Sequence, residues 1–475
     1  MTMHVQQNGS SSTSVVELEM QPNYMAPFSK QDSVIHIPAQ EPSRQADTKE
    51  EIVPSREQNT SPLPPPSTMS EVVQRWNYPR KNIARVASCF WSFVVMGSND
   101  AAYGPLIPYL QEYYDLTYLI VSVVFLSPFV GYTAAAFLNN TIHLKTGQRG
   151  VAFLCSSCHL ASYIIIAVHP PYPVLVIAFM LAGFGNGIAD AAWNAWIGNM
   201  AHANEMLGFL HGLYGAGAVL SPLIATTMIT KGNLPWYAFY YLMIGMAAVE
   251  LVASIACFWT ATGREYRDSL TKHSNSAGGG LREALFKMPA ARVTWLCALF
   301  LLGYVGMEVA LGGWIVEFMI QVRQGEAFAS GMTATGFWLG LTIGRVILGF
   351  VTPRIGEKRA IMIYLPVTMA LELIFWLVPQ FYVSAVAVGL QGFFIGPLFP
   401  AAIVAMSKLL PRHLHVGAIG FAAAFGGSGA AVLPFAVGAI AQAKGVQVLQ
   451  PIILALLGVI LMFWIGLPRM DKKKE

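Results

Sequence analysis

A chain of 475 residues that is 55% hydrophobic and only 11% charged, with a mean hydropathy of +0.52, is too apolar for a soluble domain and reads as a polytopic membrane protein. Its net charge of +4 is spread over short polar segments, which gives no ground for nucleic-acid binding. The five cysteines, Cys89, Cys155, Cys158, Cys257 and Cys297, lie in or beside apolar runs, which argues against a disulfide framework; CSSCH at 155–159 has metal-like spacing but reads as core.

Residues 1–80 are rich in Ser, Gln, Pro and acidic groups and contain SPLPPPS. They are expected to form a disordered cytosolic tail, neither a signal peptide nor a first span, in which the sequons at Asn8 and Asn59 stay unglycosylated. Twelve apolar runs of spanning length follow: 84–109, 116–141, 151–169, 173–200, 206–230, 236–260, 292–320, 328–352, 360–379, 383–410, 413–443 and 447–468. Lys and Arg gather in every second connection, among them Lys145, Arg149, six residues between Arg264 and Arg292, Arg354, Lys358 and Arg359, whereas the alternate connections hold only Lys231, Arg323 and Lys444. That asymmetry places both termini in the cytosol. The expected class is therefore all-α: twelve transmembrane helices in two six-helix bundles, 84–260 and 292–468, joined by a flexible cytosolic linker, 261–291, and ending in a basic tail, 469–475.

The bundles repeat each other at an offset of 209. Gly97, Ala101 and Gly104 fall on Gly306, Ala310 and Gly313; Gly131 falls on Gly340, Lys145 on Arg354, Gly147 on Gly356, and Gly183, Gly187 and Gly208 on Gly392, Gly396 and Gly417. Pseudo-symmetric halves with a binding site between them are how secondary transporters are built. The connections LKTGQRG (144–150) and GRVILGFVTPRIGEKR (344–359) resemble the G-x-x-x-D-R-x-G-R-R signature of the major facilitator superfamily. The second copy keeps Gly349, Arg354, Gly356 and Lys358; the first keeps Lys145, Gly147 and Arg149. The resemblance implies the superfamily's twelve-helix plan over 84–468 and a gating role for Lys145, Arg149 and Arg354.

Polar residues within the spans mark the site, because an ionisable group at bilayer depth is costly and faces the bundle interior. In GFGNGIADAAWNAW (183–196), Asn186, Asp190, Trp193 and Asn194 share a helical face. Span 1 carries Asn99 and Asp100, with Pro105 and Pro108 permitting a bend. An N-D pair on the first helix, together with an acid four residues before Asn on the fourth after a G-x-G-x-G run, resembles the fucose permease branch of the superfamily. FLHGLYGAGAVLSP in span 5 and GFFIGPLFPAAI in span 10 look similar to its fungal relatives. By that resemblance Asp100 and Asp190 handle the proton. Asn99, Asn186, Trp193, Asn194, His211, Tyr214, Glu308 and Trp314 are the candidate substrate-binding residues, the last two opposite span 1 in the repeat. Arg345, in a Gly-Arg pair, is expected near the inner leaflet as a gate or lipid-level anchor. Glu250 and Glu372 have no visible partner and receive no role.

The expected activity is proton-coupled movement of a small polar, sugar-like solute by alternating access, with protons and membrane lipids as the other partners, no cofactor and no metal, from a monomer in the plasma membrane. Export of a fungal secondary metabolite is the alternative, since Gly208, Gly217 and Pro222 match half of an antiporter motif. A receptor that does not transport comes third, and a membrane enzyme last, for want of a nucleophile with a base or a phosphate loop.

Overall fold

Two of the expected spans are broken and two run together, and each irregularity has a local cause. The computed structural model describes residues 74–271, 280–411 and 414–468; the expected tail up to residue 73, the linker centre at 272–279, and the basic segment 469–475 lie outside the described residues. The first half contains α1 (Lys81–Tyr114), the single-turn α2 (Tyr118–Val121), α3 (Val123–Ala167), α4 (Tyr172–Gly198), α5 (Ala203–Thr230) and α6 (Ala238–Phe258). The linker flanks form α7 (Gly263–Thr271) and α8 (Gly280–Phe286). The second half contains α9 (Ala290–Gln321), α10 (Ala327–Ile355), α11 (Glu357–Leu377), α12 (Phe381–Ile395), α13 (Leu398–Leu409), α14 (His415–Lys444) and α15 (Leu449–Gly466).

Span 2 begins as α2, breaks at Ser122 and continues as the first limb of α3; span 3 is the second limb. The limbs meet at Gly147, whose φ of +68° lies in the left-handed region, open to glycine without strain. The 209-related Gly356 has φ +94° between α10 and α11. Span 10 is broken between α12 and α13 at Gly396 and Pro397, because proline offers no N–H to continue the ladder. Eleven helical segments among the described residues are long and apolar enough to cross a membrane. The remaining span is α1, whose apolar run is interrupted by Ser98, Asn99, Asp100 and two prolines. Twelve spans result among the described residues, and the chain is a multi-pass membrane protein.

The offset of 209 is visible in the packing. A side chain on Gly131 of α3 would overlap the carbonyl of Met180 on α4, and one on Gly183 would overlap that of Pro128. Adding 209 to all four residues gives the mirrored pairs: Gly340 of α10 against Gly389 of α12, and Gly392 against Phe337. The repeat-related Gly97 and Gly306 also make close contacts, though with partners that are not 209 apart: Gly97 of α1 lies on Tyr214 of α5, and Gly306 of α9 on Gly429 and Leu433 of α14. Lipid tails give apolar helices no reason to associate, so backbone contact across small residues supplies the attraction.

The contacts joining the halves gather at the end opposite the linker. Gly104 of α1 presses on Gly312 of α9, Gly313 on the Phe125 ring, Gly331 of α10 on Thr226 of α5, and Gly438 of α14 on Ser122 and Trp314. Tyr118 Oη donates to Glu317 Oε1 at 3.0 Å, and the Leu119 amide donates to Gln442 Oε1 at 3.4 Å. Toward the linker end, Gly208 and Gly212 on α5 and Gly420 and Gly427 on α14 have open space where a side chain would be. At that end the linker flank is fastened to the first half: the Arg149 amide donates to the Ala261 carbonyl at 2.9 Å, and Gly263 packs on the Lys145 backbone.

The paired glycines predict a contrast in stability. Gly183→Ala and Gly392→Ala each place a methyl group into a facing backbone and lower stability by about 2 kcal/mol. Gly245→Ala and Gly458→Ala, which meet open space, are neutral or stabilising. Thermal unfolding in detergent, followed by reaction of the buried Cys89, Cys155, Cys158 and Cys297 with a thiol dye, reads the difference; equal melting of the two sets would contradict the close-contact account.

Candidate functional site

Three donors converge on Asp100. Its Oδ1 accepts from Asn99 Nδ2 and from Asn186 Nδ2, each at 3.0 Å, and its Oδ2 accepts from Tyr214 Oη at 2.9 Å. Asn99 Nδ2 also reaches Tyr103 Oη at 3.1 Å. The donors come from α1, α4 and α5, whose close approach at Gly97 brings the Tyr214 backbone onto α1. Asn99 and Asn186 are fully buried and Asp100 half-buried. A carboxylate in a weakly polar interior needs this many donors to replace water.

Asp190 lies one turn beyond Asn186 toward the linker end, about 12 Å by helical rise from the end of α4. Its Oδ1 accepts from Asn194 Nδ2 at 2.8 Å, and Asn194 Oδ1 is 3.1 Å from His211 Nε2 on α5. Asp190 and Asn194 are half-buried and His211 is exposed, on the same stretch of α5 as Gly208 and Gly212. This short chain therefore borders the open space between the halves.

The second half contributes an ion pair. Arg345 Nη2 lies 3.0 and 3.2 Å from the two oxygens of Glu308 and 3.4 Å from Tyr304 Oη. The Glu308 side chain is 8% exposed and that of Arg345 26%, and the guanidinium is near enough to His211 and Tyr214 for their charges to interact. Arg345 thus faces the first-half residues across the cavity, correcting its expected place at the inner leaflet. Ten residues, about 15 Å, separate it from the end of α10, and helical side chains point back toward the N-terminus, here toward Glu308.

Two expected substrate residues lie elsewhere. Trp193 is buried and stacked on Phe258 of α6, with ring centroids 4.6 Å apart; three positions past Asp190 is enough rotation to aim it at the neighbouring helix. Trp314 donates Nε1 to the Pro434 carbonyl at 2.9 Å and packs against Tyr118 and Phe125 at the closed end. The expected gating residues stay at the linker end: Lys145 and Arg354 are exposed, and the Arg149 guanidinium sits 5.3 Å over the Trp259 ring.

Sequence reasoning gave Glu250 and Glu372 no partners, and both have them. Glu250 Oε2 is 2.8 Å from His159 Nδ1, and Glu372 Oε2 accepts from Gln391 Nε2 at 2.7 Å. The available signal was that His159 and Glu250 lie in the middle of two apolar runs of one half, 151–167 and 238–258, that hold no other His, Asp, Glu, Lys or Arg. Among the described residues no three His, Cys, Asp or Glu side chains are grouped to hold a metal ion.

The family profile of the Major Facilitator Superfamily matches residues 89–326 and 309–475. A relative from Saccharomyces cerevisiae, "Bypass of stop codon protein 6", is 30% identical over 417 residues, covering 82% of this chain and 84% of its own. The "Glucose/mannose transporter GlcP" of Bacillus subtilis is 23% identical over 351 residues, 73% of this chain and 85% of its own. Among solved structures, FucP, the E. coli fucose:proton symporter, matches in its outward conformation with a TM-score of 0.57 at 16% identity, over 82% of this chain and 100% of that one.

The Glu308–Arg345 pair yields a prediction. Arg345→Met alone strands a buried carboxylate and costs on the order of 3 kcal/mol, whereas adding Glu308→Leu restores most of the loss, because apolar replacement of a whole buried pair is well tolerated. Thermal unfolding of the single and double variants decides it; a double variant no better than the single would show that the two charges do not depend on each other.

Proposed function

The chain belongs to the major facilitator superfamily, as a non-enzymatic transporter of the fucose permease-like type, and we propose that it moves a small polar, sugar-like solute together with protons by alternating access. The observation that carries this reading is the contrast between the two carboxylates. Asp100 is held by three donors, whereas Asp190 receives one side-chain hydrogen bond, from Asn194, and borders the open cavity. Asp190 is thus the group placed to exchange a proton with the cavity, and Asp100 the deeper carboxylate of the same proton-handling site, which also holds the helices around it.

The solute class follows from the groups at the cavity and from the relatives. Asn194, His211, Tyr214 and the Arg345–Glu308 pair offer both donors and acceptors, a palette suited to hydroxyl groups. GlcP and FucP are, by their names, carriers of glucose or mannose and of fucose. Moving one charge across 100 mV is worth about 2.3 kcal/mol, roughly a 50-fold accumulation, so one proton per solute is a sufficient driving force. On the charge distribution we place both termini in the cytosol; that the protein acts as a monomer in the plasma membrane is part of the same proposal and does not rest on the charges. The same cavity would serve proton-driven export, and the sign of proton movement separates the two directions.

The test is reconstitution into liposomes loaded with a pH dye and challenged with a panel of monosaccharides and small organic acids. A solute that drives protons in its own direction is expected with the wild type; Asp190→Asn abolishes that flux yet keeps solute-for-solute exchange. Opposite proton movement assigns export. Equal flux in both proteins removes Asp190 from the mechanism, and no flux with any solute overturns the sugar-like reading in favour of metabolite export or a receptor that does not transport.

A further inference from the structure

The His159–Glu250 pair lies behind the site and takes no part in the function proposed above. Both side chains are fully buried. Glu250 Oε1 accepts from Ser92 Oγ on α1 at 2.5 Å, and Oε2 meets His159 Nδ1 at 2.8 Å. A carboxylate that takes two donors acts as acceptor only, so Nδ1 carries a hydrogen toward it. The other ring nitrogen, Nε2, is buried without a partner. It lies against α4, where a Cβ on Gly185 would meet His159 Cδ2 and Nε2 at 2.7 and 2.8 Å. The polar side chain beside it there is Asn186, and Asn186 Oδ1 is the matching orphan, buried and unpaired, while its Nδ2 donates to Asp100.

We propose that Asn186 is an amide toggle, its orientation set by the charge of His159, so that the His159–Glu250 pair positions the hydrogen bonds received by Asp100. The inference rests on the reading of Asp100 as part of the proton-handling site. With Nδ1 committed to Glu250, Nε2 has two forms. In the imidazolium it is an N–H, which calls for Oδ1 of Asn186 and leaves Nδ2 on Asp100, where the structure has it. In neutral imidazole it is a lone pair, which calls for the Asn186 NH2; the amide turns over, Oδ1 faces Asp100, and Asp100 satisfies it by carrying a proton. Passing from the first state to the second breaks the Nε2–H bond and forms an O–H bond on Asp100, with one proton and the same net charge in each. The remaining titratable groups around the pair and the amide are Tyr103 on α1, Tyr132, Cys155 and Tyr163 on α3, and Tyr240 on α6, with Tyr132 the one beside Asn186; none supplies a cation that could replace the imidazolium.

The decisive measurement needs no solute, so its failure and that of the transport reading are separable. Infrared titration of the protein in liposomes follows the protonated Asp100 carbonyl band, assigned by its loss in Asp100→Asn. His159→Leu with Glu250→Leu removes the pair without leaving an unpaired charge. Freed from the imidazolium, the amide can accept from a protonated Asp100, and the band reaches half intensity about one pH unit higher than in the wild type. In an Asn186→Leu background the same double change has no such effect, since no amide remains to turn. If the double Leu variant fails to fold, His159→Gln with Glu250→Gln takes its place, with the same expected direction. A shift that persists with Asn186→Leu would mean coupling through space, and no shift in either background would leave the pair a structural anchor; either result overturns the proposal.

Discussion

Asp100 can occupy the middle of α1 only because Asn99, Asn186 and Tyr214 replace the water it has lost. Those donors lie on three helices, so satisfying one carboxylate fixes α1, α4 and α5 against one another. The glycine contacts make this possible. A side chain at Gly97 would hold α5 away and carry Tyr214 out of reach, and one at Gly185 would displace His159 from α4. Close packing and polar satisfaction are thus one constraint, since short hydrogen bonds between helices require backbones that nearly touch.

The two halves share this packing scheme but not the chemistry. The offset of 209 maps the glycine contacts onto each other, yet it maps Asp100 onto Val309, Asn186 onto Ile395, Asp190 onto Phe399, Asn194 onto Ile403, His159 onto Thr368 and Glu250 onto Val459. In return Arg345 maps onto Ala136. Backbone approach is demanded of both bundles by the fold, whereas the carboxylate network is needed once. The first half therefore holds the acid-rich network, and the second presents an internally neutralised ion pair to it.

The sequence shows how far each kind of inference reaches. The spans were legible because hydropathy over a spanning length depends on the bilayer alone; the breaks at Ser122 and at Gly396 and Pro397 were not, because they are local backbone events inside apolar runs. The repeat was legible because glycines with a backbone partner tolerate nothing else. The membership of Asn99, Asp100, Asn186, Asp190, Asn194, His211 and Tyr214 in one polar region was legible because polar groups on an apolar helix must turn inward. Helical periodicity gives a face but no partner, and the differences lie there. Trp193 is close in angle to Asp190, yet the neighbour at that angle is Phe258. The expected place of Arg345 is the inner leaflet, yet the residue lies well inside its helix and its side chain reaches Glu308. His159 and Glu250 lie 91 residues apart on different spans, and no local pattern relates them.

The alternating access proposed here needs a place where two tightly packed halves can part, and the closed end offers one. Within a half, helices meet through backbone contacts that allow no sliding. Between the halves, the closed end combines small-residue contacts, the packing of Trp314 on Tyr118 and Phe125, Lys231 over the Phe328 ring, and two hydrogen bonds, from Tyr118 to Glu317 and from Leu119 to Gln442. Bonds of that kind contribute about 1 kcal/mol each, comparable to the differential binding energy of a small solute. Rigid halves joined by a weak seam form a bistable system. A ligand shifts such an equilibrium only by binding one state more tightly than the other, and the position of Asp190 and Arg345 on opposite walls of the cavity lets a bound solute or proton favour the state in which those walls approach.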